Sequence, residues 1–374
     1  MKTVRRMLYR DIVSSVFFVS LAFMSLFFFI DFVDELQDVG RFGYTVWFAV
    51  LAAALELPGH LYELLPITLL IGTIYSMARL AQSSEFTILR TGGLSPWRAL
   101  RLLTVLGLAF SALTFIIGDY VVPHSERDAV LLKATFSGGR KLGRTGAWLK
   151  ERSGSGAEER SHSISVAGIA SDGTLEGIRI FEFDGQGRHL SRTAARSARV
   201  GADAVWVLNE VDVTRWPAPA SAGTNASADA VEHQRLDTLR WASTLSAAVV
   251  SAAVLPLKTM STSELWRYSA HLNDQEQAAQ RHQIQFWKKS LYPAACLVMI
   301  GLALPFAYLH ARAGGISLKV FGGIMLGISF VLLNNVAGHI GLLRNWTPWV
   351  VAALPSAVFM LMSLAAFGWL VRYR

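Results

Sequence analysis

Six stretches of this sequence are each long and apolar enough to cross a lipid bilayer, and they fall into two groups of three separated by a long polar segment. Residues 12–33, 61–80 and 102–122 make the first group; residues 290–309, 317–338 and 347–371 make the second. Six spans of about 20 residues use only about 120 to 130 residues. More than half of the 374 residues therefore lie outside the bilayer. Composition agrees: 17% of the residues are charged, against roughly 25% in an ordinary soluble domain. Lone Cys296 excludes a disulfide framework and a cysteine zinc cluster, each of which needs a pair.

The first apolar run follows Lys2, Arg5, Arg6 and Arg10, as a signal peptide would. It is about twice the length of a usual signal core and no Ala-x-Ala site follows, so it reads as an uncleaved span. Pro66 near the start of the second run predicts a kink there. Orientation follows from Lys and Arg in the short loops. Twelve basic residues (Lys2, Arg5, Arg6, Arg10, Arg79, Arg90, Arg98, Arg101, Arg312, Lys319, Arg372, Arg374) fall on one side and only Arg41 and Arg344 on the other. Both termini are expected in the cytoplasm and the polar middle outside it. The +8 net charge is thus a topology signal and not a nucleic-acid footprint. Residues 241–257 are uncharged but built of Ala and Ser with Pro256, and read as strand and turn rather than a seventh span.

From about residue 127 to 239 the pattern becomes alternating. Ile178, Ile180, Phe181 and Phe183 lie in one strand-like run, and Val205, Val207, Val211 and Val213 share one parity of another, opposite Trp206, Leu208, Glu210 and Asp212. Short strands with Gly and Asp turns between them point to a β-sandwich or roll. Residues 152–163 and 217–230, rich in small and polar side chains, read as loops. Residues 262–289 return to helical spacing and are expected to run into the fourth span.

Several candidate sites are weak. Residues 138–145 fall one residue short of a phosphate-binding loop, with Arg144 where a lysine is needed, and read as a glycine-rich turn. His60 and Glu63 are three apart, and His271 and His282 lie on the outer helix expected at 262–289; none forms a metal motif, and no metal site is expected. No nucleophile setting is apparent, so an enzyme acting alone is disfavoured. Asp31, Asp34, Glu35 and Asp38 gather at the outer end of the first span, where a charge at the membrane edge is a functional hypothesis by default. The informative loop is Ala81-Gln-Ser-Ser-Glu85-Phe-Thr-Ile-Leu-Arg90-Thr-Gly-Gly-Leu-Ser95-Pro96-Trp97. Ser83 or Ser84 suits the cap of a short helix, Glu85 its positive end, Arg90 its negative end, and Gly92 or Gly93 its stop. Such a helix fits a groove on a separate ATPase or, alternatively, lies on the lipid surface.

Taken together these pieces resemble the lipopolysaccharide-export permeases of the LptF/LptG (YjgP/YjgQ) family, closer to its LptG branch. The residues that carry the resemblance are Leu57-Pro-Gly-His-Leu-Tyr-Glu-Leu-Leu-Pro66, the stretch from Leu80 to Glu85 with its Gly92-Gly93 stop, Phe286-Trp-Lys-Lys289 to Pro293, and Leu304-Pro-Phe306. The resemblance spans essentially the whole chain. It implies an α-helical membrane protein of six transmembrane helices with a periplasmic β-jellyroll-like domain inserted between the third and fourth. The corresponding divisions are 1–123, 124–261 and 262–374, with a coupling helix at about 83–92. It also implies a non-catalytic ABC transporter permease of the Gram-negative inner membrane that passes lipopolysaccharide toward the outer membrane. Its implied partners are an LptB-type cytosolic ATPase dimer, an LptF-type permease, LptC, the LptA bridge and membrane lipid. ATP and Mg would sit on the ATPase, leaving no cofactor in this chain. Glu85, Phe86, Ile88, Leu89 and Arg90 match the ATPase-coupling stretch, and the first and fifth spans match the lateral gates.

One departure stands out. Relatives place basic residues near the outer end of the first span, where this chain has Asp31, Gln37 and Asp38. Contact with a phosphorylated head group there is repulsive unless a divalent cation intervenes or the acids turn away. Asp31, Asp34, Arg41, Arg127 and Lys133 are the candidate substrate contacts. Another ABC-type lipid or lipoprotein exporter is the alternative, although such permeases place the large outside domain after the first span; a membrane-embedded lipid-modifying enzyme is a more distant one.

Overall fold

The computed structural model describes residues 2–41, 43–83, 85–93, 95–136, 147–153, 160–169, 174–201, 205–216, 231–243, 245, 250, 257–274, 279–308 and 315–373. The chain divides into two compact units: Met1–Gln37, Ala49–Glu126 and Gln280–Arg374 form one, and Asp38–Phe48 with Arg127–Ala279 form the other.

The first unit is helical. Its elements are α1 (Lys2–Leu36), α2 (Val46–Gln82, which begins in the other unit), the short α3 (Glu85–Thr91) and α4 (Pro96–Ile116). A π-helical turn, Ile117–Val121, carries α4 on into α5 (Val122–Thr135). Among the described residues six helices are long and apolar enough to cross a membrane: three in this first group, and three in the second formed by α7 (Gln280–Tyr308), α8 (Ile316–Leu343) and α9 (Pro348–Tyr373). The six-span expectation therefore stands. The second span is longer than its apolar run. Expected at 61–80, it begins at Val46, because Glu56, Pro58 and Gly59 interrupt the hydrophobicity without breaking the helix. A helical proline loses one backbone hydrogen bond that neighbouring groups in a bundle can replace.

Two apolar clusters hold the bundle together. Leu8, Ile12 and Val16 of α1 meet Leu69, Met77 and Leu80 of α2, Leu103 and Leu106 of α4, and Ile300 and Leu304 of α7. Leu70 and Ile74 of α2 meet Met299 and Ala303 of α7, Phe330 of α8 and Phe359 of α9. Lipid is as apolar as leucine, so membrane helices associate through close packing, which small residues permit. A Cβ on Gly72 would stand 2.7 Å from the Val16 backbone nitrogen, so α1 crosses α2 almost backbone to backbone. Gly323 and Gly327 likewise admit Ile74 and Ile67 of α2 against α8.

Among its described residues the second unit carries seven strands in one antiparallel sheet: β1 (Ala147–Ser153), β2 (Arg160–Val166), β3 (Gly168–Ile169), β4 (Leu175–Phe183), β5 (His189–Val200), β6 (Val205–Arg215) and β7 (Glu232–Ala242). Their order is β1-β2-β4-β5-β6-β7, with β3 on β4. The sheet thus falls between the third and fourth spans, as the sequence led us to expect. Three local expectations change. Residues 127–135, placed at the start of the β pattern, are helical. The loop expected at 152–163 has both ends in paired strands, Ser153 opposite Arg160, while 154–159 lie outside the described residues, as do the turn 138–145 and the loop 217–230. Residues 262–289 are not shown as one helix: α6 (Thr262–Asp274) and α7 are separate elements, with 275–278 outside the described residues. Of the stretch 241–257, Trp241 and Ala242 end β7 and most of the rest is not described.

The parity expected for β6 also changes. Trp206 and Leu208 are buried, but so are Val211 and Val213 on the opposite parity. The changeover lies at Glu210, whose φ is 50°. Neighbouring strands switch at the same level, between Leu175 and Ile178 of β4 and between Ala198 and Ala195 of β5. In β4 the switch falls on Gly177, with φ 62°, a conformation costly for residues with a Cβ. The buried face of the sheet therefore changes sides along one seam, and a groove of about 720 Å³ lined by Gly177, Arg196, Glu210 and Asp237 follows it. Beside the sheet, Arg127 clamps α5 to α6. Its guanidinium donates to Glu264 at 2.5 Å and to the Thr259 carbonyl at 3.1 Å. Burial pushes the Glu264 carboxyl up, but hydrogen bonds from Arg127 and the Ser261 backbone outweigh it and hold the group below its ordinary value.

Candidate functional site

The first candidate is α3 and its mounting. Seven residues are too few for a helix that is stable alone, and flanking contacts hold this one. Leu89 packs against the cluster that contains Leu8, Leu80 and Leu103. The α3–α4 turn is fixed by Gly93 at φ 97°, by the Arg98 guanidinium donating to the Gly93 carbonyl at 2.9 Å, and by Ser95, which caps α4 by accepting from the Arg98 backbone N–H. On the same end of the bundle the Tyr9 hydroxyl donates to the Leu102 carbonyl, and Arg79 pairs with Asp11 at 3.2 Å. What α3 leaves open is Glu85 in its first turn and Ile88, which is 68% exposed. Phe86 and Arg90 are in the helix, but their side chains lie outside the described residues, as does Ser84. The arrangement is a small rigid knob seated on the bundle, with an acidic and an apolar group facing out.

The second candidate is the opposite end of α1 and α2. Asp31 does not project as a lone acid: its carboxylate lies 2.9 Å from His60 Nε2. Glu56, one helical turn before His60, joins them, and donor atoms of all three lie within 4.8 Å of one another. Phe27 stacks on the His60 ring at 4.6 Å between centroids. The pairing of His60 with Glu63 suggested by sequence spacing is replaced by one across two helices. Asp34 is exposed. The remaining charged candidates lie in the sheet-bearing unit. Arg41 is paired with Asp38 at 2.5 Å, Arg127 is held by Glu264, and Lys133 is half-buried.

A third feature is a surface. α1 exposes Phe17, Phe18 and Phe29, and α8 exposes Leu318, Phe321 and Leu332, each more than half accessible. These two helices are the first and fifth spans.

Six helices long and apolar enough to span a membrane among the described residues, with an antiparallel sheet between the third and fourth in chain order and a short helix after the second, define a multi-pass membrane protein. Residues 6–370 match the family model described as lipopolysaccharide export system permease LptF/LptG, and the chain belongs to that family. Among its relatives, the lipopolysaccharide export system permease protein LptG of Haemophilus influenzae is 26% identical over 363 residues, covering 96% of each chain. That of Escherichia coli K12 is 26% identical over 336 residues, covering 90% of this chain and 89% of its own. Family and helices together make this a multi-pass permease subunit of the inner membrane.

Proposed function

We propose that the chain is the LptG-type permease subunit of the exporter that lifts lipopolysaccharide out of the inner membrane. In this reading both termini and α3 face the cytoplasm and the sheet faces the periplasm, a direction supported by the twelve-to-two distribution of basic residues in the short loops. α3 seats in an LptB-type ATPase dimer through Glu85, Phe86, Ile88, Leu89 and Arg90. ATP and Mg act there, on the partner rather than on this chain. An LptF-type permease completes the membrane cavity, with α1 and α8 as its gates, and the sheet hands lipid to LptC and the LptA bridge.

Export by this route is work done by the ATPase and transmitted as a difference in affinity between two states of the complex. A knob fixed by Leu89 and by the Gly93–Arg98 staple moves with the bundle rather than bending away from it, which suits a lever. Asp31 and Asp34 of the helical unit, and Arg41, Arg127 and Lys133 of the sheet-bearing unit, are the charged groups proposed to meet the phosphorylated head group. Arg41 and Arg127 would do so from existing ion pairs with Asp38 and Glu264, so a phosphate must compete with a carboxylate already in place.

The observation that carries the reading is the exposure of Glu85 and Ile88 on a helix anchored from behind. Glu85→Lys is expected to cut copurification of the ATPase, or to leave ATP hydrolysis running without lipopolysaccharide release from proteoliposomes. Wild-type levels of both would remove α3 from the coupling path.

A further inference from the structure

We infer that Asp31, Glu56 and His60 form a binding site for a single divalent transition-metal ion of the zinc class. Glu56 and His60 stand four apart on α2, so they share one face of the helix, and Asp31 approaches from α1. Two donors each about 2.1 Å from one ion stand roughly 3.0 to 3.4 Å apart. Asp31 and His60 are at 2.9 Å, and the whole trio fits within 4.8 Å. Small side-chain rotations close the remainder.

The charge balance of the trio argues for a cation. Asp31 and Glu56 bring two carboxylates together at the end of two apolar helices, where charge is costly. A dication offsets both and takes a neutral imidazole as its third ligand. The donor set selects the ion class: magnesium and calcium favour all-oxygen shells, whereas an imidazole with carboxylates suits zinc and its neighbours. The Phe27 ring stacked on His60 fixes the imidazole plane, as an outer shell does in metal sites. Side-chain exposures of 26% for His60 and 14% for Asp31 leave the site reachable from solvent but not open to it.

Three protein ligands leave a coordination position open. An anionic oxygen would take it, and on the export reading proposed above that oxygen belongs to a lipid phosphate. The ion then turns an acidic rim into an anion-binding one.

The experiment is a competition titration of the full-length chain in detergent against a zinc-binding dye. Wild-type protein is expected to take up one equivalent of zinc, with affinity at least tenfold weaker in each of Asp31→Asn, Glu56→Gln and His60→Gln and unchanged in Glu63→Gln. Zinc should also raise the melting temperature of the wild type and not of the three variants, which separates ligand loss from misfolding. No uptake, or equal uptake by the wild type and all three variants, overturns the site. Lipopolysaccharide capture with and without chelator then reads the phosphate step. Zinc uptake with no capture in any form counts against the export reading and leaves the metal site standing.

Discussion

α1 and α2 lie side by side in one bundle and solve opposite problems. Of the most apolar 18 residues of each, 6% are buried within the chain in α1 and 78% in α2. The greasier helix is the barer one. α1 carries a dense run of Phe, Leu and Val with one interrupting acid, and α2 carries two prolines, Gly59, Gly72 and the acids Glu56 and Glu63. Hydropathy measures how well a helix tolerates lipid, while small residues measure how closely it approaches another helix. α2 is the hub because glycines permit close approach, its own Gly72 toward α1 and Gly323 and Gly327 of α8 toward it, and α1 touches that hub mainly through Leu8, Ile12 and Val16 in its first half.

The contrast can be broken by substitution. The largest effect is expected for Gly72→Leu, which drives a side chain into the Val16 backbone at the α1–α2 crossing. Overpacking of this kind costs about 1 to 3 kcal/mol or more. It should appear as a sharp loss of monodisperse protein on gel filtration. Phe18→Ala, on the bare face, is expected to leave folding within about 0.5 kcal/mol of wild type while lowering photocrosslinking of lipopolysaccharide to α1 in the assembled transporter. If Phe18→Ala unfolds the protein as readily as Gly72→Leu, the bare face is a packed one after all.

The smallest effect sharpens the contrast from the sheet-bearing unit, where α5 and α6 are joined by charge rather than by absent side chains. The Glu264 carboxyl is held below its ordinary value, so its contribution to stability is fully present above the unfolded-state pKa and is lost as pH falls through the folded-state one. Both partners are about a third exposed, which limits the contribution to below about 1 kcal/mol. Glu264→Gln should lower the melting temperature slightly at neutral pH, and the gap to wild type should close on acidification. A gap that widens in acid would show that the clamp is not ionic.

Much of this fold was legible in the chain because bilayer spans announce themselves as long apolar runs, and β4 and β6 as short alternating ones. Errors arose where a local rule met a tertiary override. Residues 46–60 were not read as part of a span because Glu56, Pro58 and Gly59 break an apolar window, although a helix supported on several sides keeps its backbone through them. The parity of β6 failed at Glu210 because a positive φ turns the strand over, and nothing in Asn209-Glu-Val211 signals it. The position of α3 was readable from Glu85 and the Gly92-Gly93 stop, whereas its mounting by Leu89 was not. The Asp31–Glu56–His60 cluster was hidden for a simpler reason: its members come from two helices, and sequence spacing offered Glu63 as the nearer partner of His60. The one available hint was the i,i+4 spacing of Glu56 and His60.

The bareness of α1 bears on how such a protein is made. A helix that finds few partners in its own chain must partition into the bilayer on the transfer energy of its own residues, and α1 has the composition to do so. α2, with its acids, histidine and prolines, is a poorer candidate for insertion alone and gains its place from helices synthesised after it, since α4, α7, α8 and α9 supply its contacts. The membrane half would then assemble around its most buried span only when the last triplet, which begins some 200 residues after α2 ends, emerges from the ribosome.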